Sequence, residues 1–184
     1  LFIVVMLIAV LAVGFASAPP AIAAPPPNDT PAGAEVIPGA GPFPYLSAVT
    51  PDIGDATVTG EPAPTCAGSF SRSIWYVFTP SDSGTATLRT DAPGATVSDP
   101  VMAVYTSGGG AAGPFTQVAC ADDGGPGFAS QVTLDVAAGV QYWIQVSKAG
   151  TSAPGPGLTA VQIAVDLIRD ERHRGCQQLA EHDK

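Results

Sequence analysis

The feature that most constrains the fold of this chain is a succession of short runs rich in β-branched and aromatic residues, each closed by Gly, Pro, Ser or Asp. Such runs predict β-strands, and a spacing of about ten residues between them is typical of an antiparallel sandwich. We therefore predict an all-β fold, an antiparallel β-sandwich of about 8–9 strands. The predicted strands are residues 45–49, 56–59, 73–79, 84–90, 101–106, 116–121, 131–136, 141–147 and 159–167.

The alternation of side chains along these runs distinguishes half-buried strands from covered ones. In the run from residue 140, the even-numbered residues through Val146 are apolar, so Trp143, Gln145 and Ser147 should face the opposite, polar side. Residues 132–136 and 161–167 show the same one-sided pattern, which is typical of a sheet with one face in water. The runs SIWYVF (73–78) and VMAVY (101–105) are apolar on both faces, which predicts central or covered strands.

The pattern divides the chain into four segments. Residues 1–23 are a predicted signal peptide whose basic n-region is missing, with an apolar run at 1–15 and a small-residue cleavage pattern ending at Ala23. An uncleaved membrane anchor is the alternative. Residues 24–44 are a predicted Pro/Gly-rich linker. Residues 45–168, which we call the body, are predicted to form the sandwich, and residues 169–184 are a charged tail that is helical or disordered. We expect a secreted protein, extracellular or at the cell surface, with no membrane span after signal cleavage.

The cysteines indicate the redox compartment, and the charge narrows the classes of expected partner. Cys66 and Cys120 lie in the body and Cys176 lies in the tail, so we predict a Cys66–Cys120 disulfide in an oxidising compartment, with two unpaired thiols as the alternative. The net charge of −9 comes from 16 acidic and seven basic residues. Nucleic acid is therefore not an expected partner, because binding to phosphates needs clustered Lys and Arg.

The chemistry-bearing residues argue against an enzyme. The two histidines, His173 and His182, both lie in the tail, which leaves the body without an imidazole base. Asp122 and Asp123 are adjacent, and neighbours along a strand face opposite sides, so they could not flank one glycosidic bond. We predict a non-catalytic binding module. The alternatives are a small carboxylate-dependent secreted hydrolase of glycosidase type and a structural spacer without a ligand.

Two features are candidate binding sites. Asp122 and Asp123 open a Gly-rich turn, and with Asp99 from a neighbouring strand end they could offer hard oxygen ligands to Ca²⁺, the one candidate cofactor. The alternative is that these side chains cap their own backbone. Trp143 is the aromatic residue that the alternation places on the polar face, where it could contact an extracellular glycan or protein. A position beneath a covering loop is the alternative.

Five motifs follow one another along the body: SIWYVFTP (73–80), SGTATL (83–88), DPVMAVYT (99–106), QVACADD (117–123) and SQVTLDVAAGVQYWIQV (130–146). Their order resembles that of the bacterial pre-peptidase C-terminal domain over roughly residues 28–167. Domains of this family are jelly-roll-like β-sandwiches attached to secreted proteases and surface proteins. The resemblance implies a non-catalytic accessory role, and some members bind calcium, glycans or fibrous protein.

Overall fold

The computed structural model describes residues 24–50 and 52–170, so the predicted signal peptide and the tail beyond Asp170 lie outside the described residues. Short 3-10 turns at Pro31–Gly33 and Gly110–Ala112 accompany the strands. None of the described segments forms a helix with the length and hydropathy needed to cross a bilayer. The described strands are β1 (Glu35–Ile37), β2 (Tyr45–Leu46), β3 (Phe70–Phe78), β4 (Gly84–Arg89), β5 (Pro100–Ser107), β6 (Phe115–Ala121), β7 (Gln131–Val136), β8 (Tyr142–Ala149) and β9 (Ala164–Arg169).

The strands form two sheets, which confirms the predicted all-β sandwich. The five-stranded sheet has the order β1-β3-β8-β5-β6, and the four-stranded sheet has the order β2-β9-β4-β7. All pairs are antiparallel except β1 with β3, which run parallel. Neighbouring strands in each sheet are mostly distant in sequence, so each sheet is held together by long-range pairing.

The inner core lies between the sheets and follows the predicted alternation. The five-stranded sheet contributes every second residue of β3, β5 and β8, including Ile74, Met102 and Ile144, which are fully buried. The four-stranded sheet contributes Leu88 and Val165 from β4 and β9. The apolar face predicted for residues 161–167 is therefore confirmed.

The ends of the sandwich differ from the predicted boundaries. β1 lies within the predicted linker, where Ile37 pairs with Phe78 and is buried in the inner core, so this segment belongs to the sandwich. β9 continues to Arg169, one residue into the predicted tail. No strand forms at 56–59, because the backbone N–H of Thr57 donates to the Asp29 carboxylate at 2.5 Å instead of to a neighbouring strand.

The outer face of the five-stranded sheet is covered, contrary to the predicted wet face of β8. Its residues form a second hydrophobic cluster, which we call the outer cluster, and side chains from distant loops and from β6 pack against it: Ala34, Ala111, Phe115 and Cys120. Gln145 and Ser147 on the same face of β8 are fully buried. The prediction that 73–78 and 101–105 are covered strands is confirmed. The outer cluster consists of Trp75, Val77, Ala103, Tyr105 and Trp143.

Candidate functional site

The predicted disulfide is confirmed. Cys66, in the loop before β3, is bonded to Cys120 on β6, with the two Cα atoms 5.8 Å apart. The bond joins residues separated by 54 positions, and it closes a chain segment that contains β3, β4 and β5. Cys176 lies outside the described residues.

Trp143 does not lie on an open surface, so its prediction as an exposed binding residue is wrong. Its side chain is 5% exposed and belongs to the outer cluster. The ring of Phe115 meets it edge to face, with centroids 5.9 Å apart, and the same Phe115 ring lies 5.4 Å from Trp75. Alternation correctly placed Trp143 on the outer side of the sheet, but that side is covered by residues far away in sequence.

The predicted acidic turn forms directly after β6. Asp122 and Asp123 follow the last residue of the strand, and Gly125 N–H donates to the Ala129 carbonyl at 2.8 Å to close the turn. Gly124 has a φ of +111°, a backbone conformation that favours glycine. The Ser130 hydroxyl contacts the Asp122 carbonyl at 3.3 Å and anchors the turn.

Asp99 lies near this turn. It directly precedes β5, has a φ of +56°, and accepts the backbone N–H of Ala149 at 2.9 Å through its carbonyl. Burial raises the pKa of the Asp122 carboxyl, and the negative charges of Asp99 and then Asp123 raise it further. The structure therefore brings all three predicted carboxylates within electrostatic reach of one another.

The geometry of the three carboxylates is that of an open cluster. Asp122 Oδ1 is buried and makes no hydrogen bond, so it is a free acceptor. Within residues 24–50 and 52–170, no group of three or more His, Cys, Asp or Glu side chains is close enough to hold a metal ion as it stands. A calcium ion at Asp99, Asp122 and Asp123 would therefore require the Gly-rich turn to close around it.

A cleft beside Asp99 is the feature that sequence reasoning missed. It has a volume of about 470 Å³ and lies between residues 90–100 and the turn at 126–129. Asp91 and Asp99 line it together with Phe128, whose side chain is 72% exposed. The sequence holds no signal that could have found this cleft, because a single apolar residue in a turn is an ordinary surface feature.

The repulsion within the acidic turn predicts the effect of Asp122→Asn. Because the folded state raises the pKa of Asp122 above its ordinary value of 3.8, it binds this proton more tightly than the unfolded chain does. Stability should therefore fall as the pH rises from 3.8 through the raised value, and the variant should lack that loss. At neutral pH and low salt we expect Asp122→Asn to raise Tm by about 1–2 °C, a small effect because solvent screens the partly exposed group.

Thermal melts of both proteins between pH 3 and 8 measure this effect. Asp55→Asn is the control, because Asp55 is an exposed carboxylate in the loop before β3. Equal melting temperatures for wild type and Asp122→Asn at neutral pH would contradict the repulsion.

The chain was compared with protein families, curated proteins and solved structures. No protein-family profile and no curated protein matches it. Among solved structures, it is similar to the crystal structure of the pre-peptidase C-terminal domain of collagenase from Bacillus anthracis, with 10% sequence identity and a TM-score of 0.40. The match covers 72% of this chain and 94% of that chain.

Proposed function

We propose that the chain is a secreted, non-catalytic accessory module that binds Ca²⁺ at Asp99, Asp122 and Asp123. The observation that carries the proposal is the placement of the three carboxylates at one end of the sandwich, where burial and the charges of Asp99 and Asp123 raise the pKa of Asp122, together with the buried Asp122 Oδ1, which makes no hydrogen bond. Carboxylate oxygens are the ligands that calcium prefers, and a divalent cation would turn the repulsion into attraction.

The turn that follows Asp123 supports closure around an ion. Gly124, Gly125 and Gly127 leave its backbone adaptable, and Gly124 and Gly127 already have positive φ. Calcium accepts six to eight oxygen ligands in flexible geometry, so backbone carbonyls and water can complete a set that begins with three carboxylates. Binding would order the turn and, through it, the Phe128 side of the cleft.

The cleft next to the proposed ion site suits an extracellular glycan or protein. The exposed ring of Phe128 can stack on a sugar ring or pack on an apolar side chain. Asp91 and Asp99 can accept hydrogen bonds from hydroxyl or amine groups of the same ligand. Calcium binding at the turn would then fix the position of Phe128 relative to these carboxylates.

Export and the lack of catalysis are supported by different observations. The Cys66–Cys120 disulfide is typical of a protein that folds in an oxidising compartment. The histidines of the chain, His173 and His182, are outside the sandwich sequence, so a histidine-dependent hydrolytic mechanism has no base there. We therefore propose that the sandwich binds and does not turn over its ligand.

Calcium should stabilise the folded protein and have no effect on the variant Asp123→Ala. Because the ion binds the folded state only, stability rises with its concentration, by about 2.7 kcal/mol at 100 times Kd. The measurement is thermal melting in millimolar calcium and then in chelator. Asp170→Asn is the matched control and should keep the stabilisation by calcium. Asp170 is an exposed carboxylate directly after β9, whose last residue pairs with the first residue of β4. Identical melting of the wild type in calcium and in chelator would contradict the proposal.

A further inference from the structure

A segment that we call the strap, residues 58–67, lies across the outer face of the five-stranded sheet. The Glu61 carboxylate accepts the side-chain N–H of Gln145 at 2.9 Å and the hydroxyl of Ser73. The Tyr105 hydroxyl lies 3.5 Å from the Pro62 carbonyl oxygen. Gln145 and Tyr105 both project from the outer face, so the strap covers the side of the sheet that faces away from the inner core.

The far end of the strap is fastened to β6. Thr65 N–H donates to the Gln117 side-chain carbonyl at 3.0 Å, and the Gln117 amide donates back to the Thr65 hydroxyl. Cys66 is then bonded to Cys120, three residues further along the same strand. The backbone hydrogen bonds found within residues 58–67 close turns inside the strap, from Glu61 N–H to Val58 and from Ala67 N–H to Pro64. Apart from one covalent bond, side chains hold the strap down.

Closing the strap buries polar groups at a cost. Burial raises the pKa of the Glu61 carboxyl, although the Ser73 hydroxyl, the Trp75 indole and the Gln145 amide lower it in part. The partly buried Glu61 carboxylate therefore opposes closure of the strap, and the Cys66–Cys120 bond counteracts this cost.

The inner core does not depend on the strap. The buried residues of the inner core that lie nearest in sequence, Ile53 and Ala56, come before it, and among the described residues no member of 58–67 belongs to that cluster. Every strand pair of the two sheets also forms between residues outside the strap. Release of the strap would leave the sheets and the inner core in place.

We propose that the Cys66–Cys120 disulfide is a thiol-cleavable latch whose reduction releases the strap from the outer face while the sandwich stays folded. Cys66 is an exposed residue and Cys120 a partly buried one, so we place the attack at the Cys66 sulfur. One thiolate of a small dithiol attacks the Cys66 sulfur, the S–S bond breaks, and the Cys120 sulfur leaves and takes up a proton. Cys66 is then held in a mixed disulfide with the reductant. The second thiol of the reductant attacks this bond and frees Cys66, which leaves two protein thiols and an oxidised, cyclic reductant.

The tryptophans of the chain report on this latch. The chain has two, Trp75 and Trp143, and both belong to the outer cluster, so tryptophan fluorescence observes the covered face. We expect dithiothreitol to shift the emission to longer wavelength and to raise acrylamide quenching severalfold. The far-UV circular dichroism should stay that of a β-sandwich, and reoxidation should reverse the fluorescence change.

Three variants make the test specific. Cys176→Ser should respond to dithiothreitol as the wild type does, because the third cysteine takes no part in the latch. The double variant Cys66→Ser with Cys120→Ser should show the open-state quenching without reductant, and Trp143→Phe isolates the signal of Trp75 beneath Glu61. Thiol titration first establishes that reduction has freed Cys66 and Cys120. Acrylamide quenching that is unchanged at that point would overturn the latch. Loss of the far-UV signal on reduction of the wild type would overturn it too, since the bond would then hold the whole fold.

Discussion

Replacing Trp143 with alanine is expected to lower the free energy of unfolding by about 3–5 kcal/mol. The side chain is 5% exposed and packs between Val77 and Tyr105, its cross-strand neighbours on β3 and β5. Its removal would leave a cavity that the rigid strands cannot collapse to fill. Denaturant unfolding followed by circular dichroism measures the loss.

The matched control is Val118→Ala on β6, where the side chain is 47% exposed and the expected change is within about 0.5 kcal/mol. If Trp143→Ala lowered the free energy of unfolding as little as Val118→Ala does, the outer face of the sheet would be open, as the alternation of the sequence alone suggests. Trp143→Phe should fall between the two variants, since it keeps the ring in the cluster.

The second large effect concerns the disulfide. The bond joins residues 54 positions apart and so restricts the unfolded chain to a closed loop. On the chain-entropy account, this restriction stabilises the folded state by about 4 kcal/mol. Cys66→Ser combined with Cys120→Ser should therefore lose up to about 4 kcal/mol of stability. The loss should stay below this limit, because the freed strap gains conformational entropy in the folded state as well.

Urea unfolding of the double variant, beside Cys176→Ser, measures this loss. Cys176→Ser should match the wild type, because Cys66 and Cys120 are already paired with each other. The double variant should remain folded without denaturant, since folded domains typically have about 5–15 kcal/mol of stability. A change of less than about 0.5 kcal/mol would show that the bond does not constrain the unfolded chain.

Several strands could be predicted because their signal is local. β7 occupies the predicted residues 131–136, where apolar and polar residues alternate between a Gly-rich turn and Gly139. The predicted strand at 56–59 has equally suitable residues but no neighbour to pair with, and Asp29 takes the backbone N–H and the hydroxyl of Thr57. Propensity identifies a segment that can be a strand, and the available partner decides whether it becomes one.

The candidate site was predictable to a similar extent. The turn residues around Asp122 and Asp123 are a local signal, and Asp99 was associated with them as the residue before a strand. The cleft and the exposed Phe128 were not predictable, because a cleft exists only between segments that the fold brings together.

Local periodicity and composition in the sequence by themselves determined the strand-rich architecture and the apolar faces of β7, β8 and β9. The predicted export and the position of two cysteines in the body indicated the disulfide. Only the tertiary structure decided the order of the strands, the parallel pairing of β1 with β3, and the covering of Trp143. The physical reason is that alternation records which side of a strand is apolar, whereas burial depends on what arrives from elsewhere in the chain. For β8 that cover comes from Phe115 on β6 and from the strap, and neither leaves a mark within residues 142–149 themselves.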